Sequence, residues 1–111
     1  MDWKTELAEA NANMGDYSGK QPATAEGFTA LHHAALAQGA LSTKHKELTA
    51  LAIGIAKQCI DCIAFHVSAS IAAGATRAEI EETVNVCVLM GGGPSFMYGV
   101  KALEAYDQMA A

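Results

Sequence analysis

The apolar residues of this chain recur at helical spacing from end to end, and no segment alternates apolar and polar residues as a half-buried strand does. Six helical stretches can be drawn, separated by Gly, Pro and Ser or Thr residues. The composition agrees, because 51% of the residues are hydrophobic but only 6% are aromatic, which suits closely packed helices. We therefore predict an all-α fold, a single-domain bundle of about six helices over residues 1–111.

The limits of the helices follow from turn residues and from proline. The first helix is predicted from about Trp3 to Met14 and the second from about Ala23 to Gln38, with a loop over residues 15–22 between them. The run Gly-Gly-Gly-Pro at residues 91–94 predicts a turn between the fifth and the sixth helix.

The third and fourth helices need a boundary, because no proline interrupts the chain from Thr43 to Ala73. The apolar stripe over residues 48–55 and the stripe over residues 60–71 lie roughly a third of a turn apart on one helix. One straight helix cannot bury both stripes equally. We therefore predict a break near Gln58, which places Cys59 and Cys62 in the first turn of the fourth helix.

Charge and composition exclude several classes of partner. The formal net charge is −5 and the seven basic residues are spread along the chain, so we expect neither nucleic acid nor a membrane surface as a partner. The N-terminus lacks the apolar stretch of a secretory signal, which predicts a cytoplasmic protein. Charged residues make up only 17%, so we expect a homo-oligomer that hides apolar surface.

Two cysteines and a histidine form the candidate site. Cys59, Cys62 and His66 stand at i, i+3 and i+7, a spacing that lines residues up on one face of a helix. A thiolate is the species that attacks peroxide or disulfide sulfur, and a helix N-terminus and a nearby histidine both favour it. The second cysteine can capture a sulfenic acid as a disulfide. The pattern predicts thiol redox chemistry.

Three other interpretations stay open at this point. The cysteines and the histidine can be packed core residues, or three ligands of a zinc site with Cys87, His32 or Glu47 as the fourth. A redox-sensing oligomer without turnover is the third. Glu47 is either a general base that passes a proton through His66 to a cysteine, or a solvated glutamate in a charged turn.

The pattern as a whole resembles that of a known family. Glu47 stands twelve residues before C-x-x-C-x-x-x-H, the motif formed by Cys59, Cys62 and His66, and this resembles the signature of the AhpD-like alkylhydroperoxidases within the carboxymuconolactone decarboxylase family. The flanking sequence is similar as well, from roughly Phe28 to Tyr106.

The resemblance implies an all-α, thiol-dependent peroxidase that assembles as a homotrimer or homohexamer, needs no cofactor and is recharged by a dithiol or lipoyl-bearing reductant. Cys62 would attack the hydroperoxide substrate, Cys59 would resolve the sulfenic acid, and His66 with Glu47 would relay protons. Well-studied members carry a histidine between the cysteines where this chain has Asp61, which opposes thiolate formation. We expect peroxide reduction to suffer more from this change than disulfide exchange.

The decarboxylase branch of the same family is the alternative enzyme. Its members generally lack the cysteine pair. A decarboxylase of this type also needs a cation for the substrate carboxylate, and the only arginine, Arg77, stands in a helix-opening turn that we expect to be solvated.

Overall fold

The computed structural model describes every residue from Met1 to Ala111. It contains no strand and five helices, which are α1 Trp3–Lys20, α2 Pro22–Leu36, α3 Thr43–Ala56, α4 Ile60–Ala72 and α5 Arg77–Met109. The all-α prediction is confirmed. The predicted count of about six is one too high, because the last two predicted helices are joined in a single element, α5.

The first helix is longer than predicted, and the loop predicted over residues 15–22 is wrong. α1 continues to Lys20, whose Nζ pairs with Asp16 one turn earlier at 3.2 Å. The interruption is the single residue Gln21, with φ −131° and ψ 65°. Because the ring of a proline disfavours a helical conformation at the residue before it, Pro22 ends α1, and it then begins α2 as its first residue.

The break between α3 and α4 lies where the two apolar stripes predict it. α3 ends at Ala56, and Gln58 has a left-handed conformation, with φ 57°. Cys59 follows as the N-cap of α4. The phase argument is therefore confirmed, and the cysteine pair lies at the start of a helix.

α5 is a helical hairpin and not one straight rod. Gly92 has φ 68° and ψ −148°, a conformation open essentially to glycine alone. In a straight helix residues 77 and 107 lie about 45 Å apart, yet Arg77 Nε donates to Asp107 Oδ1 at 2.8 Å. The two arms pack so closely that a methyl group at Gly99 would lie 2.5 Å from Val84 Cγ1. The predicted fifth and sixth helices are these two arms.

The core lies where α3, α4 and both arms of α5 meet. α1 contributes Trp3, which is fully buried and whose Nε1 donates to Glu104 Oε1 at 2.6 Å. The twelve buried residues of this cluster are Trp3, Leu51, Ile55, Ile63, Ala64, Val67, Ala75, Ile80, Val84, Cys87, Ala102 and Ala105.

α2 buries none of its residues. Phe28 is 65% exposed and Leu31 is 64% exposed. A second set of exposed apolar side chains lies on α5 and α3, and consists of Ile53, Val86, Leu89, Met90, Phe96, Met97 and Val100. Exposed apolar side chains in such numbers are typical of interaction surfaces in globular proteins.

One helix, α5, is long and apolar enough to cross a membrane by length and composition alone. Its two arms run back along each other, however, and each is shorter than the roughly 20 residues that a straight span needs. Ile80 of the first arm and Ala102 of the second are fully buried in the core. α5 is therefore a core hairpin of a compact globular domain.

Candidate active site

The two cysteines of the C-x-x-C motif form a disulfide at the start of α4. Cys59 and Cys62 are bonded through their sulfurs, with their Cα atoms 5.2 Å apart. Cys59 is the N-cap of α4, and its Sγ accepts a hydrogen bond from the backbone N–H of Cys62 at 3.2 Å. The first turn of a helix has backbone N–H groups without intrahelical partners, and these stabilise negative charge nearby. A reduced sulfur at this position is therefore favoured as a thiolate.

Glu47 and His66 form a hydrogen-bonded pair beside the disulfide. Glu47 lies on α3 and is 6% exposed, whereas the His66 side chain on α4 is 21% exposed. His66 Nδ1 lies 2.7 Å from Glu47 Oε1. Burying a carboxylate is costly unless it is paired and hydrogen-bonded, so this pair satisfies the most deeply buried acidic group of the chain. Glu47 is thus not the solvated glutamate of a charged turn.

A glycine lets α3 approach the cysteine pair. Gly54 is buried on α3, and a methyl group there would lie 3.0 Å from the Cβ of Cys62. Any larger residue at this position would push the first turn of α4 away from α3. The close approach brings the helix that carries Glu47 against the helix that carries His66.

Cys62 and His66 open into the same cavity. It has a volume of about 360 Å³. Its polar lining comes from Cys62, His66, Asp61 and His32. Its apolar lining comes from Met14, Phe28, Phe65 and Ala69. Cys59 does not line this cavity, so Cys62 is the sulfur that a small molecule in it can reach.

A second cavity of about 530 Å³ continues from the first. The two share four lining residues, which are Met14, Phe28, His32 and Phe65. The second cavity then extends between α1 and α2, past Tyr17 and Thr24. α2, which adds nothing to the buried core, thus serves as one wall of the passage to Cys62.

All four residues predicted as site residues lie together. Cys59, Cys62 and His66 lie on α4 or at its cap, and Glu47 reaches them from α3. The sequence indicates His32 only as a possible zinc ligand, whereas the structure places it in the wall of the cavity that contains Cys62. The i, i+4 spacing of Phe28 and His32 predicts that they share a face of α2, but only the packing of α2 on α1 places that face over α4.

The structure gives no support to a zinc site or to a redox role for Cys87. No three His, Cys, Asp or Glu side chains converge in an arrangement able to hold a metal ion. Cys87 is buried on α5, and its Sγ donates to the carbonyl oxygen of Ala52 at 3.7 Å. Burial raises the pKa of the Cys87 thiol. Cys87 is therefore a core residue.

Arg77 is held at the end of the α5 hairpin, far along the chain from the cysteines. Its guanidinium donates to both carboxylate oxygens of Asp107, at 2.8 and 3.1 Å, and to Glu81 at 2.8 Å. The hydrogen bonds and charge of Asp107 raise the pKa of Arg77. This arginine is exposed but already paired, and it does not line either cavity of the site.

This chain has relatives among known proteins. A protein of Cupriavidus necator, whose function is uncharacterized, is 39% identical over 110 residues, which cover 99% of this chain and 97% of the relative. An uncharacterized protein encoded in the cox locus of Paracoccus denitrificans is 32% identical over 103 residues, covering 93% of both.

A solved structure agrees with these matches. The crystal structure of a carboxymuconolactone decarboxylase family protein from Legionella pneumophila, in its apo form, superimposes with a TM-score of 0.96 at 38% identity, covering 98% of this chain and 97% of that one. The family model for the carboxymuconolactone decarboxylase family matches residues 22–105, which include α2, α3, α4, most of α5 and all four site residues. With its fold and its cysteine, histidine and glutamate cluster placed in this way, the chain belongs to the carboxymuconolactone decarboxylase family.

Proposed function

We propose that this protein is a peroxiredoxin-type antioxidant oxidoreductase, a thiol-dependent alkylhydroperoxidase or disulfide reductase that cycles between a Cys59–Cys62 dithiol and the disulfide. One observation carries the proposal. A cysteine able to form a disulfide with its neighbour lines the same cavity as a histidine that is hydrogen-bonded to a buried carboxylate. A thiol nucleophile, a base and a group that orients the base are the parts that activated cysteines require.

In the first step the proton of the Cys62 thiol passes to His66, and the thiolate attacks the hydroperoxide ROOH. A sulfur–oxygen bond forms while the oxygen–oxygen bond breaks. The alkoxide that leaves takes the proton back from His66, so the products are ROH and a Cys62 sulfenic acid. Glu47 acts through His66 by holding Nδ1, which makes it a positioning residue.

In the second step Cys59 resolves the sulfenic acid. Its sulfur attacks the sulfur of Cys62, a disulfide forms, and the hydroxyl leaves with one proton as water. The pair is one turn apart and already bonded in this structure, so little movement is needed. An external dithiol then returns two electrons and two protons to the pair and becomes a disulfide itself.

The setting of this reaction is also part of the proposal. We place the enzyme in the cytoplasm, with a hydroperoxide substrate and a dithiol or lipoyl-bearing protein as reductant. Assembly as a homotrimer or homohexamer is supported by the exposed apolar side chains of α2 and α5, such as Phe28 at 65% and Leu89 at 81% exposure.

The decarboxylase alternative receives less support from the cavity. Its substrate would be a lactone carrying carboxylates, which require a cationic partner when they leave water. No lysine or arginine lines either cavity of the site, and the single arginine is paired with two carboxylates elsewhere.

A thiol count after exposure to an organic hydroperoxide tests the proposal. The reduced protein, in a Cys87→Ser background that leaves only the pair to be counted, is mixed with cumene hydroperoxide. We expect both thiols to be lost within minutes and to return after dithiol treatment. Cys59→Ser should leave a sulfenic acid that dimedone traps, and Cys62→Ser should not react.

Two outcomes would contradict parts of this scheme. Thiols that stay reduced in the presence of peroxide but are oxidised by small disulfides would remove the peroxidase and keep the disulfide reductase. Dimedone trapping in Cys62→Ser instead of Cys59→Ser would exchange the roles of the two cysteines.

A further inference from the structure

We propose that the site selects uncharged thiol, disulfide or peroxide substrates and rejects anionic ones, with Asp61 as the residue that sets this preference. The inference rests on the proposed function, since it concerns what reaches the Cys62 sulfur. It is carried by the position of a carboxylate in the wall of the cavity that contains Cys62, together with the absence of any lysine or arginine from that wall.

The charges around Cys62 are few and can be accounted for individually. Four lining residues of the cavity can ionise, and these are Cys62, Asp61, His66 and His32. A positive charge on His66 is offset by Glu47, whose carboxylate lies 2.7 Å away. Asp61 is an exposed residue in the first turn of α4 and makes no side-chain hydrogen bond or ion pair. The backbone N–H groups of that turn offset part of its charge, and the remainder acts on a substrate beside Cys62.

None of the seven lysine and arginine residues lines the wall of either cavity. Arg77 is bound to Asp107 and Glu81, Lys44 Nζ pairs with Glu79 at 2.8 Å, and Lys20 Nζ pairs with Asp16 at 3.2 Å. The others also lie outside the walls of both cavities, and they are Lys4, Lys46, Lys57 and Lys101.

The continuation of the passage is uncharged. Apart from His32, the second cavity is lined by aromatic, aliphatic and hydroxyl side chains, with neither an acid nor a lysine or arginine among them. A carboxylate on a substrate therefore loses water in this passage and finds no cation in exchange. It then meets the charge of Asp61 beside the reacting sulfur. A neutral substrate meets neither obstacle.

Three small thiols of similar size and different charge measure this preference directly. They are 3-mercaptopropionate, 2-mercaptoethanol and cysteamine, whose carboxylate, hydroxyl and ammonium groups carry negative, zero and positive charge. Each reduces the Cys59–Cys62 disulfide when its thiolate attacks one sulfur, the disulfide bond breaks, and a second thiol completes the reduction with formation of the small-molecule disulfide. The rates are measured for the wild type and for Asp61→Asn at low salt and pH 8.

The ratio of the Asp61→Asn rate to the wild-type rate cancels the intrinsic reactivity of each thiol. We expect this ratio for 3-mercaptopropionate to exceed the ratio for 2-mercaptoethanol by roughly 3- to 10-fold, and the ratio for cysteamine to fall below it. High salt should bring the three ratios together, because it screens exposed charges. Glu82→Gln changes the net charge equally on an exposed position of α5 and should leave the three ratios equal.

Failure of the inference and failure of the proposed function give different results. If Asp61→Asn changes all three rates by one common factor, the disulfide is exchangeable but Asp61 does not select by charge, and the inference is overturned. If Glu82→Gln reproduces the effect, net charge rather than Asp61 is responsible, and the inference is again overturned. If no thiol reduces the disulfide, the proposed function itself fails.

Discussion

His66 Nδ1 lies 2.7 Å from Glu47 Oε1, so the imidazole beside the redox pair is held by a carboxylate that is itself buried. An ionised carboxylate can only accept, so Nδ1–H donates the hydrogen bond and Nε2 is left as the free proton acceptor of the ring. This is the tautomer that the proposed role of His66 as a base for Cys62 requires.

Replacing Glu47 tests this relationship. Glu47→Gln keeps the size of the side chain and an oxygen for Nδ1, but it removes the charge and offers an amide that can turn its NH₂ group to the ring. We expect the rate of Cys62 oxidation by an organic hydroperoxide at pH 7 to fall roughly 10- to 100-fold. Stopped-flow measurement on the reduced protein gives the rate, and Glu82→Gln is the matched control. An unchanged rate would reduce the pair to a structural contact.

Gly92→Ala tests the hairpin of α5. The left-handed conformation of Gly92 strains any other residue even though no atom lies near its missing side chain. We expect the free energy of unfolding to fall by about 1–3 kcal/mol in urea titrations. Gly15→Ala is the control, because Gly15 is a helical residue of α1 with open space around it and no positive φ, and alanine there should be neutral or stabilising by up to about 1 kcal/mol. An equal change in the free energy of unfolding for both variants would argue against a positive φ at residue 92 and thus against the bend in α5.

Acid titration tests the contact between α1 and the end of α5. The hydrogen bond from Trp3 Nε1, followed by the nearby N-terminal charge, lowers the pKa of Glu104 from its ordinary 4.5. The stabilisation is thus fully present above pH 4.5 and is lost as the pH falls through the lower pKa of the folded state. Glu104→Gln should lower the melting temperature at pH 7.

The difference between Glu104→Gln and the wild type should shrink once the pH is low enough to protonate Glu104 in the folded protein. Glu82 is an exposed glutamate on the first arm of α5, and Glu82→Gln should have the melting temperature of the wild type both at pH 7 and at low pH. A Glu104→Gln deficit of the same size at all pH values would mean that shape rather than charge accounts for the contact.

Cys87 is expected to be inert. Because burial raises the pKa of its thiol, the thiolate is scarce at neutral pH. In the oxidised native protein we expect Ellman's reagent to react slowly with Cys87. After denaturation it should detect one thiol per chain rapidly. Cys87→Ser should leave peroxide consumption unchanged. Fast labelling of the native, oxidised protein would instead show that α5 opens easily around this residue.

Much of the fold can be predicted from local patterns of apolar residues and turn residues in the sequence. The phase difference between two apolar stripes predicts the break at Gln58, and this break decides where the cysteines lie. The loop predicted over residues 15–22 is wrong because glycines at exposed helix positions cost only about 1 kcal/mol each relative to alanine. Packing of α1 against the rest of the chain easily offsets that cost, and Pro22 is the true stop.

The candidate site, like the fold, follows from local sequence patterns only in part. The positions of Cys59, Cys62 and His66 on one helix follow from their spacing, whereas the partner of His66 depends on how α3 crosses α4. The passage to Cys62 depends on α2, which follows the interruption at Gln21 and buries no residue of its own. No periodic pattern encodes that docking, so the sequence indicated His32 only as a possible zinc ligand and not as part of the wall of the passage.

The cap of α4 ties the redox state to the secondary structure. Cys59 is both half of the cysteine pair and the residue whose sulfur accepts a hydrogen bond from the backbone N–H of Cys62 in the first turn of the helix. A thiolate accepts such a hydrogen bond more strongly than a disulfide sulfur does, and the helix dipole favours its charge. Reduction therefore strengthens the start of α4, and the free energy released there makes the disulfide easier to reduce. The order of the first turn of α4 and the reduction potential of the cysteine pair are therefore linked equilibria. A partner that binds this turn and stabilises it also shifts the reduction potential of the pair.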